Sequence, residues 1–256
     1  MANFNAHTLY NNDQLTDAST AAIILVIYPN GITKATYTNS QKLISITSIT
    51  SDTTTQYMEE ILFNELLNTY LLDNKELITK ICIAPEQAMM VPSVMHEPSQ
   101  AEQWYRSIHF VANNHLIHQC PIDQDAAMYV MHYPKYLLHA IDTHFEHADL
   151  KPLGCSFMNT KHTQETLVRV HLHHAYCMLT HFEQGKVHNH QILHNHSLQE
   201  ITQQLNIHLA NANDYKIEVS TNDTNIHAEE LIASYFGEQM LYLTQHEFYQ
   251  HLAACE

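Results

Sequence analysis

Histidine carries most of the potential chemistry in this chain, with twenty-two imidazoles against eleven Lys and Arg. On extended strands His171 and His173 point to one side together, as do His188, His190 and His194, because successive side chains alternate between faces. Imidazole groups that converge can build Zn or Ni sites. Convergence is not expected here. His171 and His173 share their face with Arg169, while Val168, Val170 and Leu172 take the other, which reads as a polar, solvated face over a core. The two groups also belong to the first and third strands of one meander, with the second strand between them. The expectation is no physiological metal, and exposed imidazoles that collect nickel adventitiously during purification.

Other catalytic patterns fail on spacing. His246-Glu247 is followed by His251, one residue too late for His-Glu-x-x-His, so the second imidazole swings off the face a metal would need. His144-Phe145-Glu146-His147 lacks the inverted zincin spacing, and there is no Gly-x-Ser-x-Gly elbow and no Walker loop. Met89, Met90, Trp104 and Tyr105 read as core side chains rather than an exposed apolar patch. No residue is assigned a catalytic, cofactor-binding or metal-ligating role.

The formal charge of −16 argues against nucleic acid or an anionic membrane surface as partner, since both require a basic footprint. Several histidines would protonate between about pH 7 and 5 and shrink that charge. Cys82, Cys120, Cys155, Cys177 and Cys255 are odd in number and form no Cys-x-x-Cys, the pattern of buried reduced thiols in a cytoplasmic protein. Residues 1–20 lack the layout of a signal peptide, and no stretch is long and apolar enough for a transmembrane helix.

Positioning elements are legible from periodicity. Ala21 to Tyr28 reads as a strand buried on both faces, Pro29-Asn30-Gly31 as a turn exploiting Gly for positive φ, and Ile32 to Thr38 and Lys42 to Thr50 as two further strands. A helix over Gln56 to Leu72 follows, then strands over Ile78 to Ala84 and Ala88 to Val91 and a helix opened by a Ser99–Glu102 capping box. Short strands are expected at Ile108 to Val111, Leu116 to Gln119 and Ala126 to His132, a helix from Pro134 to about His147, and a strand over Leu153 to Met158. A second meander spans Leu167 to Leu172, Ala175 to Phe182 and Val187 to His194, turning at Gln184-Gly185. It is followed by a helix capped at Ser197, a strand over Tyr215 to Ser220, a helix over Asn225 to Phe236 ended at Gly237, a strand over Gln239 to Leu243 and a helix capped at Thr244.

Two successive units of a three-stranded meander followed by alternating helices and strands make an α/β chain of ribonuclease H-like (actin-like ATPase) type, duplicated into two lobes. The expected division is residues 1–112 for the first lobe, 113–160 for a connecting α/β subdomain and 161–256 for the second lobe. The first unit lacks an obvious helix between its fourth and fifth strands. Beyond element order, the first meander, the Val91-Pro92 step, the Tyr133-Pro134-Lys135 helix start and the closing Ala254-Cys255-Glu256 resemble a bacterial family known by a domain-of-unknown-function label. That family is assigned an actin-like ATPase fold, distantly similar to the pilus-assembly protein PilM.

The resemblance implies an ATP question. Actin-like enzymes hold phosphates on two hairpin turns of the form Asp-x-Gly-Thr/Ser, where glycine admits backbone N–H groups to the phosphates and the aspartate organises a metal. This chain has four glycines, none two residues after an Asp and no two adjacent. It reads Tyr28-Pro29-Asn30-Gly31 at the first turn and His171-Leu172-His173-His174 at the second. The expectation is a cytoplasmic, acidic, histidine-rich, non-catalytic scaffold that has lost its phosphate loops, takes no cofactor, and binds a protein partner or its own copy. The alternatives are an atypical nucleotide-binding ATPase using the inter-lobe cleft, and a His-ligated metal protein.

Overall fold

Strand β2 (Ala22–Tyr28) consists of seven residues without a charge, and all but the first are buried, as an interior strand requires. The computed structural model describes residues 4–15, 19–51, 58–122, 127–158, 166–173, 176–194, 197–209, 215–221, 236–237, 240–242 and 244–254. In it β2 lies inside a six-stranded sheet with β1 (Phe4–Asn11), β3 (Gly31–Tyr37), β4 (Leu43–Ser51), β5 (Ile78–Ile83) and β9 (Asp149–Pro152), ordered β1-β4-β3-β2-β5-β9. The expected meander β2-β3-β4 is antiparallel, while β5 and β9 continue the sheet in parallel.

A second sheet repeats the plan. Strands β10 (Thr166–His173), β11 (Tyr176–Glu183), β12 (Lys186–His194), β13 (Lys216–Thr221) and β14 (Met240–Tyr242) run in the order β12-β11-β10-β13-β14, again an antiparallel meander followed by two parallel strands. Setting β1 aside, both sheets have the strand order three-two-one-four-five. The chain is a duplication.

Alternation along the strands sets the layers. Ile23, Leu25 and Ile27 pack against Phe63, Leu66 and Leu67 of α1 (Glu60–Tyr70) and Leu137 and Ile141 of α3 (Lys135–His144). The opposite face of the same strand, Ile24, Val26 and Tyr28, joins a core with Leu153 and Phe157 of α4 (Leu153–Met158), Phe248, Tyr249 and Leu252 of α6 (Gln245–Ala254), and Tyr176 and Met178 from the second sheet. On the far side of that sheet Val168, Val170 and Leu172 cover Ile201, Leu205 and Leu209 of α5 (Leu198–Leu209). Helices α4 and α6 are therefore sandwiched between two sheets, each of which carries helices on its outer face.

Between β5 and β9 the chain makes a small sheet of β6 (Ala88–Pro92), β7 (His115–Ile122) and β8 (Ala127–Pro134), ordered β6-β8-β7, on which α2 (Pro98–Ile108) seats Ala101 and Tyr105 against Val91 and Val130. Four expectations change here. Ala88 to Val91 is not the fifth strand of the first unit; that strand is β9, and the helix that seemed to be missing is α3. The boundary expected at residue 112 runs through this small sheet, and residues 149–152 return to the first sheet. The strand expected over Leu153 to Met158 is helix α4: all six residues are buried, so the run offers no polar face to reveal its period. The stretch 109–112 is irregular rather than a strand.

Local signals account for several ends. Thr244 and Glu247 form the reciprocal capping box of α6, and Ser197 Oγ accepts the Glu200 N–H at the start of α5. Helix α2 instead begins at Pro98 with Glu97 in the cap position and no side-chain cap. The Gln184-Gly185 turn has φ of 50° and 79°, the double left-handed geometry of a tight hairpin. Gly31 does not use positive φ; it is required because a Cβ there would lie 2.3 Å from the Ile49 carbonyl oxygen. The helix expected over Asn225 to Phe236 lies, apart from Phe236, outside the described residues. Cys82 and Cys177 are buried free thiols, as expected, while Cys120 of β7 and Cys155 of α4 bring their sulfurs together.

Candidate functional site

Strand ends at the junction of the two halves carry rings. Tyr28 is the last residue of β2, His171 and His173 close β10, and Tyr176 opens β11. All four are buried. Tyr28 stacks on His173 with ring centroids 3.7 Å apart and planes within 4°. His171 stacks on Phe248 of α6 at 4.5 Å and meets Phe157 of α4 at 5.4 Å. Tyr28 and Tyr176 meet edge to face at 6.2 Å.

The polar atoms of Tyr28 and His171 are matched, while the buried Tyr176 hydroxyl has no hydrogen-bond partner among the described residues. The Tyr28 hydroxyl lies 2.8 Å from His171 Nε2, and His171 Nδ1 lies 3.0 Å from Ser220 Oγ on β13. Ser220 uses its hydroxyl proton toward the Val170 carbonyl oxygen, so its oxygen accepts from Nδ1–H and Nε2 accepts from Tyr28. Burial drives the His171 pKa down to about 3 and raises that of Tyr28 well above the ordinary phenol range. Both groups are thus neutral at physiological pH. A neutral donor–acceptor chain buried in this way ties β2 of the first sheet to β10 and β13 of the second.

The same face of the second sheet has two further buried polar anchors. Arg169 Nε donates to Glu218 Oε2 at 2.5 Å, its Nη1 reaches the Phe157 carbonyl oxygen at 3.0 Å, and its guanidinium lies 5.2 Å from the Phe182 ring centre. His190 Nδ1 lies 2.8 Å from Thr180 Oγ1, and its Nε2 lies 3.0 Å from the Tyr129 hydroxyl, which projects from β8 of the small sheet. Burial brings the His190 pKa to about 3 as well.

The expected solvated face is therefore wrong. Arg169, His171 and His173 are enclosed because Tyr28 of β2, Phe157 of α4 and Phe248 of α6 pack over them, which strand periodicity cannot reveal. His188, His190 and His194 do not act together either. A bulge between His181 and Phe182 in the β11–β12 pairing sends His188 to the α5 side of the sheet, while His190 meets Tyr129 and His194 meets the Glu86 carbonyl oxygen on the other. On the α5 side His188 joins His181 and Glu183, two residues that the sequence reading left out. Their signal was His181-x-Glu183 ending one strand, with His188 just after a two-residue turn. Tyr105 is core, while Trp104, Met89 and Met90 are half-buried.

Two cavities lie among the described residues. One cavity of about 390 Å³ is lined by Ile83, His118, Tyr133, Leu138 and Lys151. A second, of about 440 Å³, is lined by Glu59, Glu60, Glu86, Phe110, His132 and Tyr136.

Similarity to solved structures decides the fold. A Bacteroides thetaiotaomicron protein with actin-like ATPase fold and unknown function superimposes with a TM-score of 0.73 at 11% identity, over 96% of this chain and 100% of that one. The fold is actin-like. The cytoplasmic domain of EpsL, an inner membrane component of the type II secretion system of Vibrio cholerae, matches with a TM-score of 0.52 at 8% identity, covering 91% of this chain and 95% of that one. The PilM–PilN type IV pilus biogenesis complex matches at 0.53 and 11% identity, covering 87% and 88%. No protein-family model matches the chain, and no curated protein matches it in sequence. Among the described residues of this actin-like chain no helix is long and apolar enough to cross a membrane.

Proposed function

We propose that this chain is a non-catalytic actin-like scaffold that binds a protein partner, with the place of the phosphate loops taken by packed rings. The observation that carries this reading is the sealed Tyr28–His171–His173 stack at the lobe junction, where the fold would otherwise admit a nucleotide. Phosphoryl transfer depends on positioned backbone donors and a metal, and neutral rings supply neither. Calorimetry with Mg-ATP and with ADP tests it. No binding heat and no change in melting temperature are expected; micromolar affinity, or a rise of several degrees with either nucleotide, overturns the reading.

Partner binding is supported by kinship of shape. PilM is seen in complex with PilN, and EpsL is a secretion-system component. We assign the contact to the small sheet and its flanks. Val94 is 97% and Phe110 85% exposed there, with Met95 and Ile108 also outside the core. Phe110 stands beside Glu59 and Glu60 in the larger cavity, so the surface fits a basic, apolar segment of another protein, as the charge of −16 also favours. We place the chain in the cytoplasm, like the cytoplasmic domain of EpsL.

A further inference from the structure

His181 is 3% exposed, yet neither of its ring nitrogens has a hydrogen-bond partner among the described residues. A buried imidazole left so is unfavourable, because it has given up its hydrogen bonds to water without replacing them. Glu183 lies two residues along β11 on the same face, with its Oε1 3.7 Å from His181 Nε2. The other carboxylate oxygen, Oε2, lies 3.7 Å from Nδ1 of His188, which the bulge in β12 turns to this side. Both gaps are too long for hydrogen bonds. One carboxylate thus sits between two imidazoles with room for an ion rather than a proton.

We propose that His181, Glu183 and His188 form a Zn²⁺ site on the edge hairpin of the second sheet. Their ligand atoms lie within 4.8 Å of one another. Tetrahedral zinc, with bonds of about 2.0–2.1 Å, needs ligand atoms roughly 3.4 Å apart, so closure requires about 1 Å of movement. Glu183 and His188 can supply it, because their side chains are 52% and 61% exposed and free to change rotamer. Two nitrogens and one carboxylate oxygen suit zinc and exclude calcium or magnesium, which take oxygen shells. The fourth position falls to water. His208 of α5 stands with its ring 5.3 Å from that of His181 and walls the inner side. Burial and the neighbouring imidazole of His208 lower the His181 pKa, which leaves the ring unprotonated for a metal at neutral pH. The ion would pin the free end of the β11–β12 hairpin.

Zinc titration of the full, untagged chain by calorimetry, in a weak competing chelator that strips single exposed histidines, tests this. One equivalent is expected to remain bound and to raise the melting temperature. His188→Ala and Glu183→Gln, both at exposed positions, are each expected to weaken that equivalent at least about tenfold, and His181→Gln to abolish it. The proposal is overturned if no equivalent survives the chelator, or if His188→Ala and Glu183→Gln bind zinc as the parent chain does.

Discussion

Acid should unlock the junction between the lobes, and His171 gives the clearest measure of it. Its ring is fully enclosed between Phe248, Phe157 and Tyr28, and burial alone holds its pKa down to about 3. An unfolded histidine titrates near 6.5. Because the folded value is the lower one, folding is favoured in full above about pH 6.5, and this contribution drains away as pH falls toward 3, at about 1.4 kcal/mol per pH unit. At about pH 5 the unfolded ring is some thirtyfold more protonated than neutral while the folded ring stays neutral, a loss of about 2 kcal/mol. His190, enclosed by Tyr129 and Thr180 with its pKa also near 3, adds a similar amount.

Carboxylates elsewhere titrate too, so the useful quantity is a difference between variants. Urea unfolding of the parent chain and of His171→Gln, each at about pH 8 and about pH 5, isolates the one group. Glutamine does not titrate, and whatever stability it costs at pH 8 cancels in the comparison. The parent should lose about 2 kcal/mol more than the variant between the two pH values, and about 4 more than a His171→Gln/His190→Gln double variant. Parallel losses in all three chains would refute the claim that these imidazoles are sealed and neutral.

Three further outcomes are expected from the packing. Gly31→Ala should cost about 3 kcal/mol in urea unfolding, because the added Cβ meets the Ile49 backbone, which cannot turn aside as a side chain can. Arg169→Met should cost about 3 kcal/mol by leaving Glu218 enclosed without its partner, and adding Glu218→Leu should restore most of that loss. Thr244→Ala removes the hydroxyl that caps α6 and should lower stability by about 1 kcal/mol, with little change in the steepness of the transition.

The duplicated plan was legible because both meanders have strong period-two patterns and clear turn residues, and because β2 reads as apolar on both faces. Caps were legible where a hydroxyl and an acid stood three residues apart, as at Thr244 and Glu247. What escaped had weak or saturated patterns. Strand β1 is a mostly exposed edge strand whose residues, from Phe4 to Asn11, mix polar and apolar types without a period, so only pairing with β4 defines it. Helix α4 failed for the opposite reason, being apolar or small and buried all round. The site was misread for a third reason. Periodicity says which residues share a face of a strand but not what lies over that face, and Arg169, His171 and His173 are covered by Tyr28, Phe157 and Phe248 from three other elements.

That cover bears on what the molecule can do. Tyr28, Tyr176, Met178, Phe248, Tyr249 and Leu252 belong to one core drawn from both halves. Exposing six such side chains fully would cost about 9–18 kcal/mol at about 1.5–3 kcal/mol each, comparable with the entire stability of a typical domain. Polar ties cross the same boundary: the Tyr37 hydroxyl and Lys80 Nζ donate to the Tyr249 and Leu252 carbonyl oxygens of α6 at 2.8 and 3.0 Å. Opening the junction is therefore nearly the same event as unfolding. A swing of the lobes around a bound molecule would have to break this core, whereas the partner contact proposed above needs no such opening. This is why the exposed apolar side chains of the small inserted sheet, rather than the junction itself, are where a partner should be sought.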